Sequence, residues 1–280
     1  MPLVHWPARS IWNTRSETSS IEADQGIEWQ QSNHVYIARG NAKAKSGNST
    51  VMADTLTAFY RSTAKPGAAP PPPSDKGTGL EGGTEIYRVE ADGHVHFKAE
   101  TQDVYGDNAV YDIDKGTLVV TGKDLKLVTK QDTVTARDSL EWYDHDQLAV
   151  ARGNAVILRE QKRLQADIVT ATVTRDDKGV QHINRIDAQG NVVVTSQDQV
   201  GRGDTGVYNV DTGITTLAGH VKLTRGQNEL RGQYAVVDLN KNISRLLSAP
   251  PSGMLTANPP SRVEGLIVPR QQPAQPQKTN

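Results

Sequence analysis

The residues best suited to chemistry in this 280-residue chain are aspartates at equivalent positions. Each follows a small residue, and the set is Asp24, Asp54, Asp107, Asp167 and Asp204. Stacked at one place in a fold, they could form a ladder of paired carboxylates, the arrangement that polysaccharide-cleaving enzymes use. The alternative is structural, because an aspartate after a small residue can also end or twist a strand and face water. We favour the structural role for these aspartates.

A second candidate is the pair His94 and His96, which lie two residues apart on one predicted strand face. Two imidazoles could hold a metal, but no third ligand lies nearby in the sequence. The chain has no cysteine, which excludes thiol chemistry and cysteine-based metal sites. The glycines also do not form a phosphate loop, since no predicted helix follows them. We therefore predict no catalytic residue, no metal and no cofactor.

The elements that must position these residues come from a repeat. A glycine is followed thirteen residues later by a small residue in five copies: Gly40 to Ala53, Gly93 to Gly106, Gly153 to Ala166, Gly190 to Gly203, and Gly219 to Gly232. A sixth copy, Gly122 to Ala136, needs fourteen residues, which suggests a bulge. A fixed period indicates stacked copies of a small unit that cannot bury its apolar face alone.

Within each copy, apolar and polar residues alternate, which predicts an all-β fold with one buried and one solvated face. Lysines such as Lys43, Lys45, Lys126 and Lys222 take the solvated face. The expected apolar face contains Val95, Phe97, Leu125, Leu127, Ile157, Val192, Val194, Val221 and Leu223. Alternation alone leaves two interpretations open: a dry core, as in any β-solenoid, or the lining of a site for an apolar ligand.

Composition divides the chain into segments. Residues 1–20 have no clear role and lack the apolar core of a secretory signal, while 21–248 carry the repeat array. A Pro/Gly-rich loop insertion occupies 65–83, and the polar, Pro-rich residues 249–280 predict a disordered tail. Lys plus Arg number 31 against 32 for Asp plus Glu, so no net field favours nucleic acid.

Several runs together resemble the OstA-like/LptA family, particularly its alphaproteobacterial members. They are residues 21–29, 35–42, 53–58, 190–194 and 219–223, and the resemblance covers about 21–248. It implies a β-jellyroll of stacked V-shaped rungs in a soluble periplasmic protein. It also implies transport of lipopolysaccharide, end-to-end self-association, and contacts with the inner-membrane Lpt export complex and the outer-membrane Lpt translocon.

The implied function is a non-enzymatic bridge in which the apolar face shields lipid A acyl chains during outer-membrane assembly. Small inward residues, Ala42, Ala44 and Ala155, are expected to leave room for the lipid. Two alternatives stay open. One is a soluble OstA-type domain equivalent to the N-terminal part of the outer-membrane translocon. The other is a closed β-helix that acts as a polysaccharide-active enzyme or an adhesin.

Overall fold

The computed structural model describes residues 19–62, 84–175, 181–197, 199–238, 241, 243–249 and 262–266. These residues form one sheet of eighteen strands, which confirms the predicted all-β class. None of them forms a helix long and apolar enough to cross a membrane. The predicted Pro/Gly-rich loop at 65–83 and most of residues 1–20 and 249–280 lie outside the described residues.

The strands follow each other in simple order along the chain. The first nine are β1 Ser19–Glu22, β2 Gly26–Gln30, β3 Val35–Ser46, β4 Ser49–Ser62, β5 Thr84–Lys98, β6 Gln102–Asp112, β7 Thr117–Thr121, β8 Leu125–Thr129 and β9 Asp132–Ala136. The others are β10 Ser139–Tyr143, β11 Leu148–Arg159, β12 Lys162–Arg175, β13 Gln181–Ser196, β14 Gln199–Asn209, β15 Ile214–Arg225, β16 Asn228–Asp238, β17 Ile243–Leu247 and β18 Glu264–Leu266.

Every ladder between the described strands is antiparallel. Antiparallel pairing follows from the short turns, because parallel neighbours need long crossover connections. The closed β-helix alternative requires coils with parallel ladders, so this topology contradicts it. The hairpin order instead matches the predicted jellyroll of stacked rungs.

Most long strands cross two arms that meet at a corner. Arm 1 contains β1, β8, β9 and β18 with the adjoining halves of the long strands, and arm 2 contains β2, β7, β10 and β17 with the other halves. In β3, for example, Ala42–Ser46 belong to arm 1 and Val35–Arg39 to arm 2. Fourteen strand segments are therefore stacked in each arm.

The corner is a β-bulge that the repeated glycine makes possible. Between Arg39 and Ala42 the register shifts, so that Gly40 and Asn41 oppose the single residue Asp54. Both bulge residues have positive φ, 79° and 44°, a conformation that glycine and asparagine adopt most readily. The same pair recurs at Gly93-His94, Gly153-Asn154, Gly190-Asn191 and Gly219-His220. The thirteen-residue repeat is thus the signature of this bulge.

The exceptional fourteen-residue copy has its extra residue at the corner. Here the strand is interrupted by Gly122–Asp124, between β7 and β8, and Leu125 resumes the inward face opposite Ala136. The extra residue predicted from the spacing is therefore present, and it breaks the strand at the corner.

The core lies between the arms. In arm 2, one continuous cross-strand row is buried throughout, and it consists of Ala38, Leu56, Ala91, Ala109, Val120, Leu140, Ala151, Val169, Ala188, Gly206, Leu217 and Ala235. Such rows of apolar pairs stabilise a sheet through contact between neighbouring side chains. The stack ends at β1 and β2 on one side and at β17 and β18 on the other.

One strand lies inside the segment for which the sequence predicts disorder. Glu264–Leu266 form β18, which pairs with Glu229–Arg231 of β16. The prediction of a disordered tail is therefore wrong for these three residues. Backbone hydrogen bonding to an open strand edge needs no apolar pattern, so composition gives no signal for it.

Candidate functional site

The nine predicted apolar residues all lie on the inward face of arm 1. Five of them, Phe97, Leu127, Ile157, Val194 and Leu223, belong to one cross-strand row, which we call the arm 1 ladder. The whole ladder consists of Ala44, Val51, Phe97, Val104, Leu127, Val134, Ile157, Leu164, Val194, Gly201, Leu223 and Leu230. The other four, Val95, Leu125, Val192 and Val221, lie one inward position closer to the corner and are 1–2% exposed. Their role in lipid binding stays a prediction.

Burial changes along the arm 1 ladder. The first four residues, from Ala44 to Val104, are 1–4% exposed. From Leu127 onward the ladder side chains are only partly buried, although they pack against the same core. The interior is therefore closed over β3–β6 and begins to open at β8.

Two cavities occupy this open part. The first, of about 210 Å³, lies between Leu127, Ile157 and Leu164 of arm 1 and the inward residues of arm 2. The second, of about 320 Å³, continues along β13–β16. Because Lys162, Val194, Thr215 and Leu217 line both, the cavities form one continuous groove, which we call the trough.

Small side chains in arm 2 make room for the trough. The residues that line it there include Ala149, Ala151, Ala171, Ala188 and Gly206. One arm 2 row continues from Ala149 to Ala171, Ile186 and Tyr208. On the other side of Ala149 the same row carries Tyr111, Leu118 and Trp142, which are large and nearly inaccessible. Interiors are close-packed, so large side chains close the interior and alanines leave it open.

The alanines expected to provide room have a different position. Ala42, Ala44 and Ala155 are 0%, 4% and 0% exposed and pack in arm 1, and none is among the residues that line the trough. Room for a ligand comes from the opposite arm.

The trough contains part of the predicted set and several residues outside it. Leu127, Ile157, Val192 and Val194 line the first cavity, and Val194 and Leu223 line the second. The remaining four, Val95, Phe97, Leu125 and Val221, pack in the buried core cluster. Leu164 and Leu230 also line the trough, and the same alternation of apolar and polar residues indicates their inward position. Ile186 and Tyr208 of arm 2 line it as well but were not predicted from the sequence.

Charged side chains stand at the outer edge of the trough. Arg159 donates to both carboxylate oxygens of Asp132, with Nε–Oδ1 at 2.6 Å and Nη2–Oδ2 at 2.5 Å. This hydrogen bonding raises the pKa of Arg159 against the opposing effect of burial. Lys162 lies opposite Arg159 on β12 and is exposed.

The repeated aspartates hold the corners together. Asp167 accepts a hydrogen bond from Asn191 Nδ2 at 2.8 Å, and Asp54 Oδ2 lies 2.8 Å from His94 Nδ1. Equivalent contacts join Asp24 to Asn41, Asp204 to His220, and Asp107 to the backbone N–H of Lys123. Each carboxylate thus contacts a neighbouring strand's corner, which supports the structural role over catalysis.

The two histidines of the candidate metal pair have separate partners. His94 contacts Asp54, whereas His96 Nε2 lies 2.7 Å from Asp103 Oδ1 and its ring stacks on Tyr105. The hydrogen bond to Asp54 raises the pKa of His94. Within the described ranges, no group of three or more metal-ligating side chains is present.

Lysines predicted on the solvated face lie outside the trough. Lys43, Lys45 and Lys126 are exposed, and Lys222 is partly buried with its Nζ 2.6 Å from Glu229 Oε2. Because side chains alternate along a strand, these lysines point away from the trough, on the outer face of arm 1.

A buried carboxylate on β10 lies beside the first cavity of the trough. Glu141 of β10 accepts hydrogen bonds from Ser139 Oγ, Tyr143 OH and Arg152 Nε at 2.7, 2.7 and 2.8 Å. Burial raises the pKa of Glu141, but these hydrogen bonds outweigh it and hold the pKa below its ordinary value. The charged form is therefore favoured in the folded chain.

Comparison with known proteins identifies a family and finds similarity to solved structures. The model of the family described as LptA/(LptD N-terminal domain) LPS transport protein matches residues 20–138 and again residues 133–243. The chain is also similar to the crystal structure of LptH, the LptA homologous periplasmic component of the conserved lipopolysaccharide transport device from Pseudomonas aeruginosa. That alignment has 23% identity and a TM-score of 0.42, and it covers 49% of this chain and 95% of that chain. No curated protein matches the chain.

Proposed function

This chain belongs to the LptA/(LptD N-terminal domain) family of LPS transport proteins, and we propose that it is a periplasmic bridge that shields lipid A acyl chains between the two membranes. In this role the protein binds and passes on its cargo without changing it chemically. The transfer runs from the inner to the outer membrane.

The observation that supports this proposal most directly is the trough. Its walls are apolar side chains from both arms, among them Ile157, Leu164 and Val194 of arm 1 and Ile186 and Leu217 of arm 2. Exposing a methylene group to water costs about 0.8 kcal/mol, so a chain of about a dozen carbons costs on the order of 8–10 kcal/mol. A continuous apolar groove removes that cost while the lipid crosses an aqueous compartment.

The ends of the stack support the proposed partners. β1 and β2 at one end, and β17 and β18 at the other, have a described sheet neighbour on one side only. Strand edges of this kind bind further strands through backbone hydrogen bonds. We infer that copies associate end to end and that the terminal copies contact the inner-membrane Lpt export complex and the outer-membrane Lpt translocon.

Site-specific photo-crosslinking tests the lipid-binding role. A photoreactive residue at Val194 or Leu223 should label lipopolysaccharide, because both side chains line the trough. The matched control is Lys222, which neighbours Leu223 in sequence but points to the outer face and contacts Glu229. Equal labelling from Lys222 and Leu223 would contradict the proposal.

A blocking substitution gives an independent measurement. Leu164→Trp should fill the first cavity and weaken lipopolysaccharide binding, since the added ring occupies space that the acyl chains need. Lys126→Trp adds the same ring on the exposed face of the same arm and should leave binding unchanged. If Leu164→Trp folds normally and binds as tightly as the wild type, the lipid does not occupy this cavity.

A further inference from the structure

The two copies of the family unit, residues 20–138 and 133–243, differ in how their interiors are filled. All residues that line the two cavities lie between Leu127 and Ser244. The arm 1 ladder is 1–4% exposed from Ala44 to Val104, and its side chains are only partly buried from Leu127 onward. The trough therefore belongs to the second copy and ends close to the place where the first copy ends.

At this boundary one row of arm 2 changes from large to small side chains. Trp142 of β10 is paired with Ala149 of β11, and Leu118 and Tyr111 continue the row into the first copy. Trp142, Leu118 and Tyr111 are 1%, 1% and 3% exposed, whereas Ala149 lines the first cavity. Side chains that are paired across a sheet contact each other, so the indole borders the space beside Ala149. We call the three large residues the wall.

Hydrogen bonds hold the wall in place. Asp144, which follows β10, accepts a hydrogen bond from Trp142 Nε1 at 2.6 Å and another from Tyr111 OH at 2.9 Å. Its own backbone N–H donates to the carbonyl oxygen of Gly116 at 2.7 Å. Turning the indole away would leave its N–H without this partner, which is costly for a buried group. A hydrocarbon chain in the trough therefore meets a fixed ring.

We propose that Trp142 is a specificity-determining residue that limits the length of hydrocarbon accepted by the trough. This inference rests on the proposed function and narrows its ligand class to amphiphiles whose acyl chains fit within the second copy. Six strands, β11–β16, lie on the open side of Trp142. At about 4.8 Å per strand, their backbones span about 24 Å along the stack. A chain that lies along the stack gains contacts until its end reaches the wall.

The test measures the affinity of the full chain for saturated fatty acids from caprate to behenate, by displacement of a fluorescent fatty acid. Wild-type affinity should rise about fourfold for each added methylene group and then level off at one chain length. Trp142→Ala should move this limit to a longer acid, because the chain can then pass beyond Ala149. Ala149→Leu should move it to a shorter acid, because the large side chains then begin one strand earlier.

Tyr111→Ala is the matched control. It removes a large buried side chain from the same row and a hydrogen bond to the same carboxylate, but Leu118 and Trp142 still separate it from the trough. Its length limit should equal that of the wild type. An equal shift in Tyr111→Ala and Trp142→Ala would mean that general loosening of the interior explains the effect, and the inference would be wrong.

Circular dichroism checks that each variant folds. A folded Trp142→Ala protein with the wild-type length limit overturns the inference. If Trp142→Ala does not fold, Ala149→Leu decides alone, since it only adds volume to open space, and an unchanged limit in that variant also overturns the inference.

Photo-crosslinking to lipopolysaccharide gives a second measurement with the proposed cargo. A diazirine analogue of leucine at Leu164, which lines the trough, should label the lipid. The same analogue at Leu118, on the far side of Trp142 and 1% exposed, should not label it in the wild type but should do so in Trp142→Ala. Labelling from Leu118 in the wild type would overturn the wall and leave the carrier function intact.

Failure of this inference can be distinguished from failure of the proposed function. If lipopolysaccharide labels Leu164 but fatty-acid affinity rises along the whole series, or no fatty acid binds, the trough carries lipid and Trp142 does not limit its length. If the wild type binds neither lipopolysaccharide nor any fatty acid, the carrier function and the wall are both overturned.

Discussion

Replacing a corner glycine by alanine measures how much the repeated bulge contributes to stability. Gly190 has φ 76°, and a methyl group there would lie 2.2 Å from Asp167 Oδ2. Holding an L-residue in the left-handed region costs about 1–2 kcal/mol. The carboxylate must also move away from Asn191, and losing an exposed hydrogen bond of this kind costs about 0.5–1.5 kcal/mol. We expect Gly190→Ala to lower the free energy of unfolding by about 2–3 kcal/mol.

Gly226 provides a matched control. It has φ 58° in the turn between β15 and β16, and an added methyl group would meet nothing within 4 Å. Gly226→Ala should therefore cost only the backbone contribution, about 1–2 kcal/mol. Urea unfolding followed by far-ultraviolet circular dichroism measures both, provided that the dependence on urea concentration stays the same for all variants.

A double variant isolates the contact with the carboxylate. Adding Asp167→Ala to Gly190→Ala removes the oxygen that the new methyl group would approach. The double variant should then lose about 1 kcal/mol less than the sum of the single variants, as expected for residues in direct contact. Additive losses, or equal losses for Gly190→Ala and Gly226→Ala, would refute the proposed role of the corner contact.

Three further predictions concern charge and packing. Glu141→Gln should destabilise the fold by about 1–3 kcal/mol at neutral pH through loss of the charged contact with Arg152. Because the pKa of Glu141 is depressed in the folded chain, its stabilising contribution is present above the ordinary pKa of 4.5 and is lost as pH falls through the folded pKa. The difference in the free energy of unfolding between the variant and the wild type should therefore shrink in acid. For His94 the pH dependence of stability runs in the opposite direction, because its pKa is raised in the folded chain. The stabilising contribution of its contact with Asp54 is full below pH 6.5 and is lost as pH rises through the folded pKa. His94→Asn, which introduces the residue found at other corners, should remove this pH dependence in thermal melts. Trp142→Ala should cost about 3–5 kcal/mol in urea unfolding, because this side chain is 1% exposed and its removal leaves a cavity in the core of arm 2. A loss below about 1 kcal/mol would contradict that packing.

The sequence predicts the arm 1 interior well and the arm 2 interior poorly, and the corner explains the difference. In arm 1 the inward residues of β13, Val192 and Val194, keep strict alternation. On the strands that carry the aspartate, the inward positions change phase at the corner, since Ala53 is followed inward by Leu56, three residues later. Counting by two through Asp54 therefore assigns the wrong face to arm 2.

The position of the open trough could not be predicted from the period. The closed and open parts have the same glycine spacing, and they differ in the volume of arm 2 side chains, as at Trp142 and its paired residue Ala149. Which inward residues leave space depends on the partner across the interior.

The interrupted corner at Gly122–Asp124 has a consequence for how the array tolerates changes in length. Side chains alternate with a period of two, so one additional residue within a strand would exchange its core and solvent faces. Here the additional residue is confined to the bend, and Leu125 and Leu127 both keep their inward orientation. Single-residue insertions at a bend therefore leave the neighbouring layers in register, and lineages can change the local spacing of one rung without redesigning the others.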